Sequence, residues 1–237
     1  MSAGQFKYGR RPATRPAALA DLAVYAQGKL PVPPPTVEVP PGPFPIDGND
    51  TYGDCVMAGV DHLNRAWDKM FDQRTGLPPE QAIVAEYLKL SPGDEGLVES
   101  ELLMRWHREG LFGEHIAGYA PVPPHDLLQL HQGVAFYGGL MLGIECGPPQ
   151  QEQFAKNETW TYTGSEEEEG HCVVGLGYGP VGGIHVATWG GIAVLSAGYL
   201  AHKLREAWVV LSHQLVEARK DTLGLDLKTL EADLKRV

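Results

Sequence analysis

Apolar residues between positions 55 and 137 recur at the three- and four-residue intervals typical of amphipathic helices. In the first such stretch they are Val56, Gly59, Val60, Leu63, Ala66, Trp67 and Met70. This spacing predicts a helix from about residue 55 to residue 71, with Asp54 placed to act as its N-cap. Similar patterns predict further helices at about 79–90, 97–109 and 126–137.

The second half of the chain carries short apolar runs separated by glycines. Runs at 140–146, 172–178, 184–189, 192–195 and 207–211 predict buried strands, with a short helix near 197–205. Leucines at 227, 230 and 234 predict a terminal helix within 226–236. Because the helices come first and the strands follow, the pattern predicts an α+β fold.

The first 47 residues differ from the rest, since residues 30–45 read LPVPPPTVEVPPGPFP. Proline at this density excludes regular helix and favours extended backbone. We predict a proline-rich extended N-terminal arm at 1–47, a domain at 48–215 and a tail with a short helix at 216–237. The arm is expected to lie over the domain surface. An inhibitory pro-segment, or an arm for docking or self-association, is the functional alternative.

Charge and cysteine content narrow the class of protein. The net charge is −11, from 30 acidic and 19 basic residues among 237, and such a surface repels nucleic acid and anionic membranes. The sequence has no apolar run long enough for a membrane span and no signal-peptide pattern. Three cysteines give no disulfide framework and suit a reducing compartment. We therefore expect a cytoplasmic or virion-associated protein of bacterial or phage origin, with no nucleic-acid or membrane partner.

Two residues have the chemistry of a nucleophile and a base. Cys55 is predicted in the first turn of a helix, where unpaired N–H groups and the helix dipole stabilise a thiolate. His171 opens a predicted strand between the small residues Gly170 and Cys172. An intracellular cysteine with a distant histidine is a candidate catalytic pair.

Three segments resemble elements of the papain-like cysteine peptidases. Residues 49–58, NDTYGDCVMA, resemble the active-site entry of that family, where a Gln lies six residues before the Cys; position 49 is Asn here. Residues 171–179, HCVVGLGYG, resemble the histidine strand, and residues 187–191, ATWGG, resemble its Asn-Ser-Trp-Gly element. The resemblance spans about residues 45–211. It implies an α+β, papain-like fold, with a helical half, an antiparallel β half and a cleft between them.

The resemblance also implies catalytic roles. Cys55 would attack a carbonyl carbon, His171 would move the proton, and Asn49 with the Cys55 N–H would donate to the oxyanion. The family's orienting Asn falls on Ala187, whose side chain cannot hydrogen-bond, and Thr188 is the nearest substitute. Substrate-binding positions are expected to be Gly53, Asp54, Gly170 and Trp189.

Other polar features have simpler interpretations. His62 lies two helical turns after Cys55, but without CxxC or HExxH spacing we expect no metal and no cofactor. The run 166–169 is expected to be a solvated loop; if it folded near the site, it would raise the pKa of His171. Cys146 and Cys172 are expected to be packing residues.

The leading functional expectation is a thiol-dependent hydrolase that cleaves an amide bond in a peptide, an isopeptide or a cell-wall peptide. Its partner would be a peptide or protein substrate. A non-catalytic structural or interaction protein, such as a virion component that reuses the fold, is the alternative. Acyl transfer to an amine by the same Cys–His pair is a further one.

Overall fold

Helices dominate the first half of the chain and strands the second in a computed structural model, which describes residues 6–71, 77–164, 168–219 and 222–237. The helices are α1 (Leu22–Tyr25), α2 (Cys55–Phe71), α3 (Glu80–Leu90), α4 (Glu99–Arg108), α5 (Leu127–Tyr137), α6 (Pro148–Ala155), α7 (Ala197–Lys203), α8 (His213–Ala218) and α9 (Leu227–Leu234). The strands are β1 (Arg10–Arg11), β2 (Leu97–Val98), β3 (Ile116–Pro121), β4 (Leu140–Cys146), β5 (Glu169–Gly177), β6 (Ile184–Thr188), β7 (Gly191–Leu195) and β8 (Leu204–Ser212). No helix within these ranges is long and apolar enough to cross a membrane.

Six strands form an antiparallel sheet in the order β3-β8-β4-β5-β6-β7, and β1 pairs separately and in parallel with β2. Helix α2 packs across β5, and Gly59 lets the two elements approach closely. A Cβ at Gly59 would lie 3.3 Å from the sulfur of Cys172 and 3.5 Å from the side chain of Val174. This packing brings the N-terminus of α2 next to the start of β5.

The inner face of α2 forms much of the core. Val56, Met57, Val60 and Leu63 are fully buried, and each such side chain contributes about 1.5–3 kcal/mol relative to exposure. The indole of Trp67 is also buried and donates to the carbonyl of Gly138 at 3.0 Å. The predicted period of α2 therefore corresponds to its buried stripe.

The N-terminal arm contacts the domain along much of its length. It adds Phe6, Leu22, Tyr25 and Phe44 to the core, and Val37 exchanges two backbone hydrogen bonds of 2.9 Å with Tyr178. Residues 6–11 lie between the loop before α2 and the start of β5, with Phe6 and Arg10 buried and Lys7 and Arg11 exposed.

Strand β3 and helix α6 lie where the pattern predicted no element. Strand β3 is an edge strand that ends in Pro121. An edge strand tolerates proline because the backbone N–H that proline lacks can face the side without a neighbouring strand. Helix α6 begins with Pro148 in its first turn, a favoured position for proline. Residues 97–98, predicted as helix, form β2 because they pair with β1.

Candidate active site

Cys55 is the first residue of α2, as predicted, and is buried. Its Sγ accepts a hydrogen bond from the backbone N–H of Cys172, with an N–S distance of 3.4 Å. The fold therefore holds the sulfur against the residue that follows His171, although the two segments are 117 residues apart in sequence.

His171 is buried in β5, and its ring is held on two sides. Its Nε2 lies 2.8 Å from Oγ1 of Thr188, and its ring stacks on Trp189 with centroids 4.7 Å apart. Nδ1 has no hydrogen-bond partner, so it does not bond to the Cys55 thiol in this state.

The orienting contact comes from Thr188 and not from Ala187. Side chains alternate along a strand, and Ala187 is paired with Val174 one step before the end of β6. Thr188 therefore presents its hydroxyl to the ring that Ala187 cannot reach. Because a hydroxyl both donates and accepts, Thr188 can serve either neutral tautomer of His171.

The Cys–His pair is neutral in this state. Burial raises the pKa of Cys55 to about 12, and hydrogen bonding from the backbones of Cys172 and Gly9 only partly opposes it. Burial, followed by the charge of Arg10, lowers the pKa of His171 to about 3. The predicted lowering of the thiol pKa by the helix N-terminus is therefore wrong here, because desolvation outweighs the dipole.

Of the acidic run at 166–169, expected to be a solvated loop, Glu169 instead begins β5, and neither Glu168 nor Glu169 raises the pKa of His171. Residues 166 and 167 lie outside the described part of the chain. Glu168 is paired with Lys203 at 2.5 Å, so its charge is largely compensated. The pKa of His171 moves down and not up, because burial and the positive charge of Arg10 dominate.

Residues 6–11, called the cleft segment below, run between the loop before α2 and the start of β5 and cover this pair. The N–H of Gly9 donates to the carbonyl of Gly170 at 3.2 Å, and its carbonyl accepts from Leu97 at 2.8 Å. The path is narrow, since a Cβ at Gly9 would lie only 1.7 Å from the carbonyl oxygen of Gly53. A Cβ at Gly96 would lie 2.0 Å from the carbonyl oxygen of Gly9.

Aromatic contacts anchor the same segment. Phe6 stacks on Trp189 with centroids 4.7 Å apart, and Tyr8 meets the ring of His171 edge-on at 5.9 Å. The side-chain amide of Gln151 donates to the Tyr8 hydroxyl at 2.7 Å. The cleft segment thereby excludes water from the sulfur and the imidazole, which accounts for their shifted pKa values.

Asn49, the predicted oxyanion donor, is buried beside the segment. Its side-chain amide donates to the carbonyl of Lys7 at 3.3 Å and to that of Tyr52 at 3.1 Å. The carbonyl of Lys7 in the cleft segment thus accepts a hydrogen bond from the Asn49 amide, which was predicted to stabilise an oxyanion.

The remaining predicted positions fall into two groups. Gly53, Gly170 and Trp189 contact the cleft segment. Asp54 does not: its carboxyl is buried and interacts with the Asn49 side chain and with its own backbone N–H, so it does not cap α2. Burial raises the pKa of Asp54 to about 8, and its backbone carbonyl instead accepts from the N–H of Met57 at 2.8 Å.

His62 lies away from the Cys–His pair. Its Nε2 is 2.8 Å from the carbonyl oxygen of Pro45 and 3.6 Å from the carboxylate of Asp47. Among the described residues, no group of three or more His, Cys, Asp or Glu side chains could hold a metal ion. Cys146 and Cys172 are free and buried, which matches their interpretation as packing residues.

Sequence reasoning missed four residues around the site. Asp94 accepts from the N–H of Gly53 at 2.8 Å and from the Tyr87 hydroxyl at 2.6 Å, and so supports the loop before Cys55. The others are Arg10, which lowers the pKa of His171, and the two acidic residues that interact with it, Glu99 and Glu206. No local pattern in the sequence marks them, because each contact joins distant segments.

An open cleft of about 750 Å³ adjoins the cleft segment. Its lining includes Lys7, Tyr8, Gly53, Cys146, Gln151 and Glu169. The covered pair therefore lies at the side of a cavity large enough for several residues of an extended peptide.

No protein-family model matches the sequence, and no curated protein matches it. Among solved structures, the chain is similar to xylellain, a cysteine protease from Xylella fastidiosa, with a TM-score of 0.65 and 13% identity over 90% of this chain and 98% of that one. A digestive procathepsin L2 proteinase from Tenebrio molitor larval midgut also matches, with a TM-score of 0.45 and 12% identity over 85% of this chain and 70% of that one. The likeness to xylellain confirms the predicted architecture: the chain has the papain-like α+β fold, with a helical half, an antiparallel β half and a cleft between them.

Proposed function

We propose that the chain is a thiol-dependent amide hydrolase, with Cys55 as nucleophile and His171 as base, held latent by its own cleft segment. One observation carries the proposal. The Cys55 sulfur accepts a hydrogen bond from the backbone N–H of Cys172, the residue after His171, while the His171 ring is anchored through Nε2 and leaves Nδ1 unpaired. A helix-start sulfur held against the histidine strand, and a ring with one free nitrogen, suit proton transfer from a thiol.

The chemistry follows from these positions. The Cys55 sulfur attacks the amide carbonyl carbon while its proton passes to His171, and the carbonyl π electrons move to the oxygen. The C–N bond then breaks, the amine leaves with the proton from His171, and a thioester remains. Water, deprotonated by His171, attacks the thioester and releases the acid and the Cys55 thiol. The Cys55 N–H and the Asn49 amide stabilise the oxyanion in both steps.

Latency follows from water exclusion. A site whose thiol has a pKa of about 12 and whose imidazole has a pKa of about 3 is not an ion pair at neutral pH. Departure of the cleft segment rehydrates both groups and removes the Arg10 charge from His171. Both changes favour the thiolate–imidazolium form that attacks carbonyls.

The test uses the full chain with Gly9→Ala, which forces the segment from the cleft, and a mixture of fluorogenic peptide amides. Hydrolysis is expected in this variant, with little in the wild type. Cys55→Ala and His171→Ala in the same background are expected to abolish it. A thioester adduct on Cys55, detected by intact mass and removed by hydroxylamine, would identify the intermediate.

Two other outcomes would replace the proposal. A folded Gly9→Ala chain that neither hydrolyses amides nor reacts faster at Cys55 would favour a non-catalytic structural or interaction protein. Products in which an added amine takes the acyl group faster than water would favour acyl transfer by the same pair.

A further inference from the structure

The side chain of Arg10 occupies a closed pocket next to the Cys–His pair. Its Nη1 lies 2.7 Å from Oε1 of Glu206, and the two side chains are 4% and 12% exposed. A guanidinium so far removed from water needs a preformed acidic partner, because an unpaired buried charge is strongly destabilising. The pocket is therefore adapted to an arginine side chain.

The pocket wall is held in place by the protein itself. The buried indole of Trp208 donates to the other carboxylate oxygen of Glu206, Oε2, at 2.9 Å. This bond does not involve Arg10, so Glu206 stays oriented when the arginine leaves. Preorganisation of this kind lowers the cost of binding an incoming guanidinium.

Two glycines provide the space that the arginine fills. A Cβ at Gly143 would lie 2.7 Å from Cδ of Arg10 and 2.5 Å from Cγ of Glu206. A Cβ at Gly170 would lie 2.1 Å from the carbonyl oxygen of Arg10. Any larger residue at either position would close the pocket or block the backbone beside it.

A second acidic group lies behind the first. Glu99 is fully buried, and its carboxyl interacts with the thiol of Cys172. It interacts electrostatically with both Glu206 and Arg10, and burial keeps its pKa well above the usual range. The Nε of Arg10 is without a partner.

We infer that this pocket is the specificity subsite for an arginine side chain of an extended peptide substrate, and that Arg10 occupies it as a stand-in. The inference rests on the proposed function and adds the substrate class to it. Gly9 covers the sulfur and Arg10 fills the adjacent pocket, so the cleft selects a small residue followed by arginine. Glu206 is the specificity residue, and Trp208 is its positioning residue.

A binding experiment tests the pocket without catalysis. The full chain carrying Gly9→Ala, Arg10→Gln and Cys55→Ala leaves the pocket vacant and the nucleophile absent. The labelled peptide Phe-Lys-Tyr-Gly-Arg-Arg, which matches residues 6–11, is titrated against the same peptide with Gln for its first Arg. We expect the Arg peptide to bind at least about tenfold more tightly than the Gln peptide, because it alone forms a charge-assisted hydrogen bond with Glu206.

Comparing peptides within one protein keeps the test valid even if further variants fold poorly. Glu206→Gln in the same background is expected to remove most of the difference, by weakening the Arg peptide and not the Gln peptide. Equal affinity of the two peptides would overturn the pocket assignment, as would a difference that Glu206→Gln leaves intact in a folded chain.

A kinetic experiment separates this inference from the proposed function. In the chain with only Gly9→Ala and Arg10→Gln, kcat/KM is measured for peptide amides with Arg or Gln at the subsite position. Hydrolysis with no preference for Arg would refute the subsite and leave the hydrolase intact. Selective binding of the Arg peptide without hydrolysis would refute the hydrolase and leave the pocket as a peptide-binding site.

Discussion

The substitution Gly9→Ala is expected to drive the cleft segment from the active site while leaving the rest of the fold in place. The added Cβ would lie 1.7 Å from the carbonyl oxygen of Gly53, whereas real Cβ atoms essentially never come within 3.0 Å of such an atom. Relief requires the backbone to move by more than about 1 Å, which breaks the bonds of Gly9 to Gly170 and Leu97.

These contacts set the free-energy change that Gly9→Ala causes in the docking of the cleft segment. Two backbone hydrogen bonds contribute about 1 kcal/mol each, and overpacking adds about 1–3 kcal/mol where the segment tries to remain. A total near 3–5 kcal/mol shifts the equilibrium between docked and released segment by roughly 140- to 3,700-fold. Reaction of Cys55 should accelerate by the same factor until the released form dominates, because only that form exposes the sulfur.

Alkylation by iodoacetamide at pH 7, followed by peptide mapping, measures this rate for each cysteine. Cys172 is buried under α2 and should stay slow in both proteins. Gly198→Ala is the matched control, since a Cβ there meets no atom within 4 Å. Coverage of Cys55 by the cleft segment is disproved if Cys55 reacts at the wild-type rate in folded Gly9→Ala, or if Gly198→Ala accelerates it equally.

Three further predictions concern the neighbouring residues. Thr188→Ala removes the hydrogen-bond partner of the His171 ring, so kcat/KM in the opened chain should fall by roughly 5- to 140-fold. Thr188→Asn should recover part of this loss. Equal kcat/KM values for the opened chain and its Thr188→Ala and Thr188→Asn variants would contradict the orienting role of the Thr188 hydroxyl. Burial raises the pKa of Asp54 to about 8, so the folded chain keeps a proton that the unfolded chain releases near pH 4, and this contribution to stability is lost as pH rises towards 8. Asp54→Asn should therefore reduce the loss of urea stability between pH 6.5 and 8 by about 1–2 kcal/mol, and an unchanged slope would show that Asp54 is ionised when folded. Gly143→Ala should clash with Arg10 and accelerate Cys55 alkylation as Gly9→Ala does; a folded variant with wild-type reactivity would show that the pocket tolerates the methyl group.

The sequence predicted the parts of the fold that depend on local pattern. The apolar period of residues 55–71 predicted α2 with Cys55 at its start. The glycine-bounded apolar run predicted β5 with His171 near its start, which lies at Glu169. Strand β3 was not predicted, because Pro121 at its end indicates a strand break unless the edge position of the strand is known. Helix α6 was not predicted either. Pro148 lies in its first turn, a favoured position for proline, but a proline does not by itself indicate a helix.

The state of the site could not be predicted from local pattern, because it depends on a long-range contact. The ion pair between Arg10 and Glu206 joins residues 196 apart, and no periodicity specifies it. The helix dipole argument predicted an acidic thiol at Cys55, yet the sign of the shift is set by the segment that covers it. The choice of Thr188 over Ala187 likewise required the strand register, since a shift of one residue reverses which side chain meets the ring.

The pH dependence of Cys55 alkylation shows whether His171 activates this sulfur once the cleft segment leaves. Rates are measured from pH 5 to 10 in the Gly9→Ala chain, with and without His171→Ala. We expect a reaction midpoint in the opened chain below 9, the ordinary value for a thiol, and a higher midpoint when His171 is removed. A midpoint that stays at or above 9 in the folded, opened chain, or one that His171→Ala leaves unchanged, would contradict this activation.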